Sequence, residues 1–341
     1  MNILTNNESP NFTIILPGPC NADCSFCTWK ENPEASGFLT GLEYALQNLP
    51  IMFQQISISG GEPTLSPYLR ETLAIIRNYR SKFKKVVLTT NGTRLFTDPL
   101  QNGLQLNSLQ NIVDHINISR HASDDIDNIN VFDTNGIPGT AELELLAHRL
   151  HNSSLDSFID LNYNCVLTEG IKHDPVKWIK FMDRTGIQSV TFRNQYDDNS
   201  TSELEQEFID ARMEKTSESN CPVCRTTVYK ISGFTFKFHS SAFEPIKVFN
   251  GLNIPDETYE VILQSNGNIT RDWEGKSILY SAEATFDKVQ VNDAVIKEYQ
   301  DYPEVQRGIQ EDRARAMAER EARRSTSYSG CGSSRSYSSC G

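Results

Sequence analysis

The chain has 341 residues, 38% of them hydrophobic, enough to bury a full-sized core in one large domain or two smaller ones. A formal charge of -12 argues against nucleic acid as the main partner. No apolar run reaches the roughly 18 residues that cross a bilayer, and the N-terminus lacks the parts of a secretion signal, so a cytoplasmic protein without a membrane partner is expected.

In chain order, the first β-rich run, 12–16, leads into Cys20-Asn21-Ala22-Asp23-Cys24-Ser25-Phe26-Cys27. Thiolates are soft ligands, and three on one short loop reach three corners of an iron–sulfur cube that wants four. The nearest further cysteine is Cys165, so one iron is left for a ligand from outside the protein. The competing structural zinc site needs four protein ligands at paired spacings, and no cysteine or histidine lies close enough in sequence to complete one. The eight cysteines otherwise cluster at 221–224 and 331–340, a usage that in a reducing compartment reads as metal binding rather than disulfides.

A helix is predicted over 39–48, then a strand over 54–59 ending in Gly60-Gly61-Glu62-Pro63, whose paired glycines permit close backbone approach. Further helices are predicted over 68–80, 140–152 (Leu143, Leu145, Leu146 and Leu150 at helical spacing) and 174–185, and strands over 85–90, 113–119, 158–166 and 188–193. Short β-rich runs alternating with helical patterns signal βα units and a parallel sheet, with function at the strands' C-terminal ends.

Cys20, Cys24, Phe26 and Cys27 reproduce the CxxxCxΦC signature of the radical S-adenosylmethionine (radical SAM) superfamily. The Gly60–Pro63 run resembles that superfamily's GGEP loop, and Thr89-Thr90-Asn91-Gly92 resembles the end of its third strand. Three motifs in order, over roughly residues 12–193, make the resemblance far more specific than any one of them. It implies an α/β fold with an open, partial (βα)6 barrel. It also implies a [4Fe–4S] cluster on Cys20, Cys24 and Cys27, and S-adenosylmethionine (SAM) chelated to the open iron and cleaved to methionine and a 5′-deoxyadenosyl radical. A reductant such as flavodoxin or ferredoxin would supply the electron. Gly60, Gly61, Glu62, Pro63, Asn91 and Phe26 are then candidate cofactor contacts, joined by Ser119 and Asn164 at strand ends and by Arg193, which could instead make a rim salt bridge. His121 reads as a surface histidine and Arg120 as a solvated charge.

The barrel pattern fills 1–200. Residues 201–216 read as an acidic helix, followed by Cys221-Pro222-Val223-Cys224 and strands at 226–231 and 234–239. This 201–303 region resembles the twitch extension of enzymes such as the molybdenum-cofactor cyclase, except that Asp272 stands where an auxiliary-cluster cysteine is expected and the tail ends Cys-Gly rather than in paired glycines. Cys221 and Cys224 could hold a second Fe–S cluster or zinc with Cys331 and Cys340, or with Asp272, or they could simply pack. Residues 304–324 read as a polar helix and 325–341 as a Ser/Gly/Cys-rich disordered tail, or as a peptide substrate joined to its own modifying enzyme. The function expected is a radical SAM enzyme acting on a small molecule or a peptide. The alternative from another class is a non-catalytic electron-transfer or metal-binding protein.

Overall fold

The computed structural model describes residues 11–27, 37–48, 53–95, 109, 112–151, 159–194, 200–211, 213–221, 224–241, 260–273 and 275–281. The expected polar helix, the tail, Cys331 and Cys340 lie outside the described residues. The six expected strands are present as β1 (Asn11–Leu16), β2 (Phe53–Gly60), β3 (Phe83–Thr90), β4 (His115–Ser119), β5 (Asp160–Val166) and β6 (Ser189–Arg193). The expected helices are α1 (Phe38–Asn48), α2 (Leu69–Asn78), α4 (Thr140–His151) and α5 (Pro175–Thr185). Two more were not anticipated in this form: α3 (Asp125–Phe132) and α6 (Ser200–Asp210), where the acidic helix stops six residues early.

Six strands, β7 (Glu214–Cys221), β8 (Cys224–Ile231), β9 (Phe234–Ser241), β10 (Glu260–Leu263), β11 (Ile269–Thr270) and β12 (Ile278–Tyr280), complete one sheet. Its order is β12-β11-β10-β1-β2-β3-β4-β5-β6-β9-β8-β7. The strands from β10 through β1–β6 to β9 are all parallel, and antiparallel strands continue from both ends. The region after residue 200 therefore joins the sheet at both edges. The expected 226–239 hairpin is β8–β9, turning through Ser232-Gly233. Cys221 and Cys224 are register partners where β7 meets β8.

Period-two alternation explains both faces. Phe12, Ile14, Ile56, Ile58, Val86, Leu88, Ile116, Ile118, Tyr163, Val190 and Phe192 are all buried, forming the outward face that the helices cover. From α5, Trp178, Phe181 and Met182 pack on it, and from α6 Phe208 meets Phe192, Phe236 and Phe238. The opposite face carries Thr13, Ser57, Lys85, Asn117, Asn162, Thr191 and Lys237. Parallel strands are ordinarily apolar on both faces, and this face departs from that by its polar side chains, of which Thr13, Asn162 and Thr191 are buried. The sheet also bends around this face. Arg193 on β6 feels the charge of Glu260 on β10, and Lys237 on β9 that of Lys85 on β3, although several strands separate each pair along the sheet.

Candidate active site

The cysteine loop leaves the end of β1 and is stitched to the loops after β2 and β3. Gly60 has φ +146°, and a Cβ there would stand 2.6 Å from the Leu16 carbonyl oxygen, while one on Gly61 would stand 3.0 Å from that of Pro19. The paired glycines let the β2 loop lie directly on the segment that enters the cysteines, and Glu62 N–H donates to the Pro19 carbonyl at 3.1 Å. Gly60→Ala is expected to cost about 1–3 kcal/mol, the range for a side chain forced into a disfavoured backbone region. Thermal denaturation checks it, and an unchanged melting curve would show that the loop tolerates a Cβ.

Glu62 is buried, and its carboxylate faces protein donors. Oε1 accepts from Thr64 N (2.9 Å), Thr64 Oγ1 (2.6 Å) and Thr90 Oγ1 (2.5 Å), and Oε2 from Asn91 N (2.7 Å). Burial pushes its carboxyl above the usual range, and those four donors pull it back. Glu62 thus clamps the β2 loop to the end of β3. Pro63 opens a single 3-10 turn through Leu65 behind it.

Asn91 carries the linkage to the cysteines. Its Nδ2 donates to Asn21 Oδ1 (2.8 Å), Asn21 Nδ2 donates to Thr93 Oγ1 (2.9 Å), and Thr93 Oγ1 donates to the Gly136 carbonyl (2.8 Å). On the other side Asp23 N–H donates to the Phe132 carbonyl at 2.9 Å. The Phe26 ring meets His121 edge-on at 4.9 Å, and His121 meets Phe132 at 4.7 Å. Sequence alone did not indicate Asn21, Thr93 or Gly136. The only signal was the place of Asn21 within the cysteine motif and of Thr93 beside the Thr89–Gly92 run, and Gly136 had none.

Cys20 is exposed and Cys24 and Cys27 are half-buried, and a turn closes from Cys27 N–H to the Cys24 carbonyl. Burial first, then Cys20 and Cys27, push the Cys24 thiol up to about 12. Three close thiols resist ionising together until a cation neutralises them. Among the described residues, no group of three or more His, Cys, Asp or Glu side chains is arranged to hold one metal ion. Three thiols on one short loop are a soft donor set of the kind an iron–sulfur cluster takes.

Ser119, Asn164 and Arg193 stand together at adjacent strand ends on the polar face. Ser119 and Asn164 are register partners, and Arg193 Nε donates to Asn164 Oδ1 at 2.8 Å. Glu260 acts on Arg193 only through space, its Oε1 accepting instead from Thr13 Oγ1 at 2.6 Å.

Two expectations are corrected. His121 is buried, 3% exposed, and its Nδ1 accepts from Val166 N at 3.1 Å. It is a pillar behind Phe26, and burial, His173 and Arg120 lower it to about 3. Arg120 is 1% exposed, paired with Asp125 at 2.6 Å and stacked 4.6 Å above the Phe181 ring. Nothing in the sequence indicated that α3 would bring Asp125 back to it. The Asp272 carboxylate accepts from the backbone N–H groups of Lys276 and Ser277, closing a local turn.

The three cysteines after the first strand of this α/β sheet, locked against the GGEP loop after its second, agree with the resemblance to radical SAM enzymes. No family model matches it. In sequence it is similar to an S-adenosylmethionine-dependent nucleotide dehydratase of Flammeovirga pacifica, 33% identical over 123 residues that cover 33% of this chain and 41% of that protein. In fold it is similar to Streptococcus suis SuiB. Against the SAM-bound structure the TM-score is 0.50, with 14% identity over 83% of this chain and 62% of SuiB. Against the structure bound to precursor peptide SuiA it is 0.51, with 14% identity over 87% and 66%. The chain therefore matches less than two thirds of each relative's length. Among the described residues no helix is long and apolar enough to cross a membrane.

Proposed function

We propose that this chain reductively cleaves SAM and uses the resulting radical to take hydrogen from a small-molecule or peptide substrate. The observation that carries this is the cysteine loop fixed against the GGEP and Thr90–Asn91 loops through Glu62, Asn91 and Asn21. Cys20, Cys24 and Cys27 would hold a [4Fe–4S] cluster, which when bound supplies the electron that breaks a carbon–sulfur bond of SAM. The chain's own part is to hold and orient. The Gly60–Gly61 backbone lets the β2 loop lie close against the cysteine loop, and Phe26 with His121 backs that loop and excludes water. Ser119, Asn164 and Arg193 offer hydroxyl, amide and guanidinium to the ribose and carboxylate of SAM.

We read the curved sheet as the partial (βα)6 barrel, with residues after 200 forming a twitch-like extension. A flavodoxin or ferredoxin is the expected electron donor. Cys221 and Cys224, with Cys331 and Cys340, would be the ligands of any second cluster or zinc. A small-molecule or a peptide substrate is in keeping with the names of the relatives, one a nucleotide dehydratase and the other solved with a peptide.

The test is 5′-deoxyadenosine formation by anaerobically reconstituted protein given SAM and dithionite. Product is expected from the natural chain and only background from Cys24→Ser. Cluster-loaded protein that never releases 5′-deoxyadenosine, with or without extracts as a substrate source, would leave a carrier role in its place.

A further inference from the structure

The polar face holds a second group of charged side chains, away from the cysteine loop. Lys85 is the third residue of β3, His115 opens β4, Asp160 opens β5, and Lys237 lies on β9. Their side chains share the concave face and act on one another's charge. His115 feels both lysines and Asp160, and Lys237 feels Lys85 and Asp160.

Hydrogen bonds fix the floor of this group. Lys237 Nζ donates to Asn162 Oδ1 (3.4 Å), as does Ser189 Oγ (2.6 Å). Asn162 Nδ2 donates to Asn117 Oδ1 (3.0 Å) and Thr191 Oγ1 (3.2 Å). Asn117 Oδ1 also receives His115 Nε2 at 3.0 Å, which leaves His115 Nδ1 turned away from that network. His115 is 8% exposed, and its Nδ1 is buried with no hydrogen-bond partner. Both lysines are half-buried, and two ammonium groups face one carboxylate.

Holding two ammonium groups together on a partly desolvated face is unfavourable unless an anion joins them. Burial and Lys85 already lower the Lys237 ammonium from its usual value, and burial followed by the two lysines lowers His115 to about 4. An anion between them would relieve both, and His115 Nδ1 could accept from a hydroxyl of the same ligand. Lysines are compact point charges that bind phosphate without a fixed fork geometry, and two of them suit an anion that carries more than one negative charge on a compact group, as phosphate does. Lys85 precedes Thr90 by five residues, about 17 Å at the rise of a strand. A small molecule could therefore rest its charged end here and extend toward the cysteine loop.

From this geometry we infer that Lys85, Lys237 and His115 form a subsite for the phosphate groups of a phosphorylated small-molecule substrate. The inference rests on the reading of the polar face as the substrate space. Its test needs neither cluster nor SAM, so its failure is separable from that of the proposed chemistry.

The probe is inorganic tripolyphosphate, titrated calorimetrically into the full chain at low salt, with citrate, about one charge lower at neutral pH, as the carboxylate control. Tripolyphosphate is expected to bind more tightly than citrate, and to weaken at least tenfold, about 1.4 kcal/mol, in a Lys85→Gln/Lys237→Gln double variant. Circular dichroism of the variant confirms its fold, and Lys85→Gln alone, at a half-exposed position, serves if the double variant does not fold. Equal affinity in natural and variant chains, no binding by the natural chain, or citrate binding as tightly as tripolyphosphate would each overturn the phosphate subsite.

Discussion

Replacing Glu62 by alanine is expected to destabilise the chain by about 3–5 kcal/mol, because it removes the acceptor of several buried donors at once. Thr64 N–H, the Thr64 and Thr90 hydroxyls and Asn91 N–H all point at one carboxylate. Each donor left dry costs about 1–3 kcal/mol, although a hydroxyl can turn elsewhere and recover part of that. Glu62→Gln should fall between the natural chain and the alanine variant. Its amide oxygen can keep the Thr64 and Thr90 contacts, while its amide nitrogen meets Asn91 N–H as donor against donor. Urea denaturation of the three proteins gives the order directly. An alanine variant with the natural midpoint would mean that the β2 loop and the end of β3 are not held by this carboxylate. The functional consequence follows the same contacts. Asn91 orients Asn21 beside Cys20, so under the proposed function loosening Glu62 should weaken the SAM binding proposed above even where the protein stays folded.

The contrast between what the sequence showed and what it hid has a physical basis. Strands such as 12–16 and 85–90 were legible because a short apolar, β-branched run is a local signal, and so were the motifs, which are contiguous runs. The clamp was not legible. Glu62 and Asn91 are 29 residues apart and Asn21 and Asn91 are 70 apart, and no local pattern says which loops a sheet will bring together. The misreading of Arg120 and His121 has the same origin, since their burial is created by α3, whose Asp125 and Asn128 fold back onto them. In the other direction, 214–221 has no apolar alternation. It becomes a strand because β8 offers it an edge to pair with.

The behaviour of His121 in acid can be isolated from everything else that titrates. In the fold its imidazole is held at about 3 by burial, with His173 and Arg120 adding to the effect, against an ordinary value of 6.5. The native state therefore keeps His121 neutral where the unfolded chain has already taken up a proton. The stability this represents is fully present above pH 6.5 and is lost as pH falls toward 3, at about 1.4 kcal/mol per pH unit. The whole protein's pH profile will not display this slope. Glu71, a buried carboxylate with neither oxygen hydrogen-bonded, is raised to about 7 by burial and contributes the opposite slope between its ordinary value and 7. A difference between two proteins cancels that opposing slope. His121→Asn keeps an acceptor for Val166 N–H and cannot take up a proton in this range. The stability of the natural chain relative to this variant is accordingly expected to drop by about 3 kcal/mol between pH 6.5 and pH 4. Guanidinium denaturation of both chains at several pH values measures it. A constant difference would mean that His121 is as protonatable in the fold as in water, and that the ring behind Phe26 is hydrated rather than sealed.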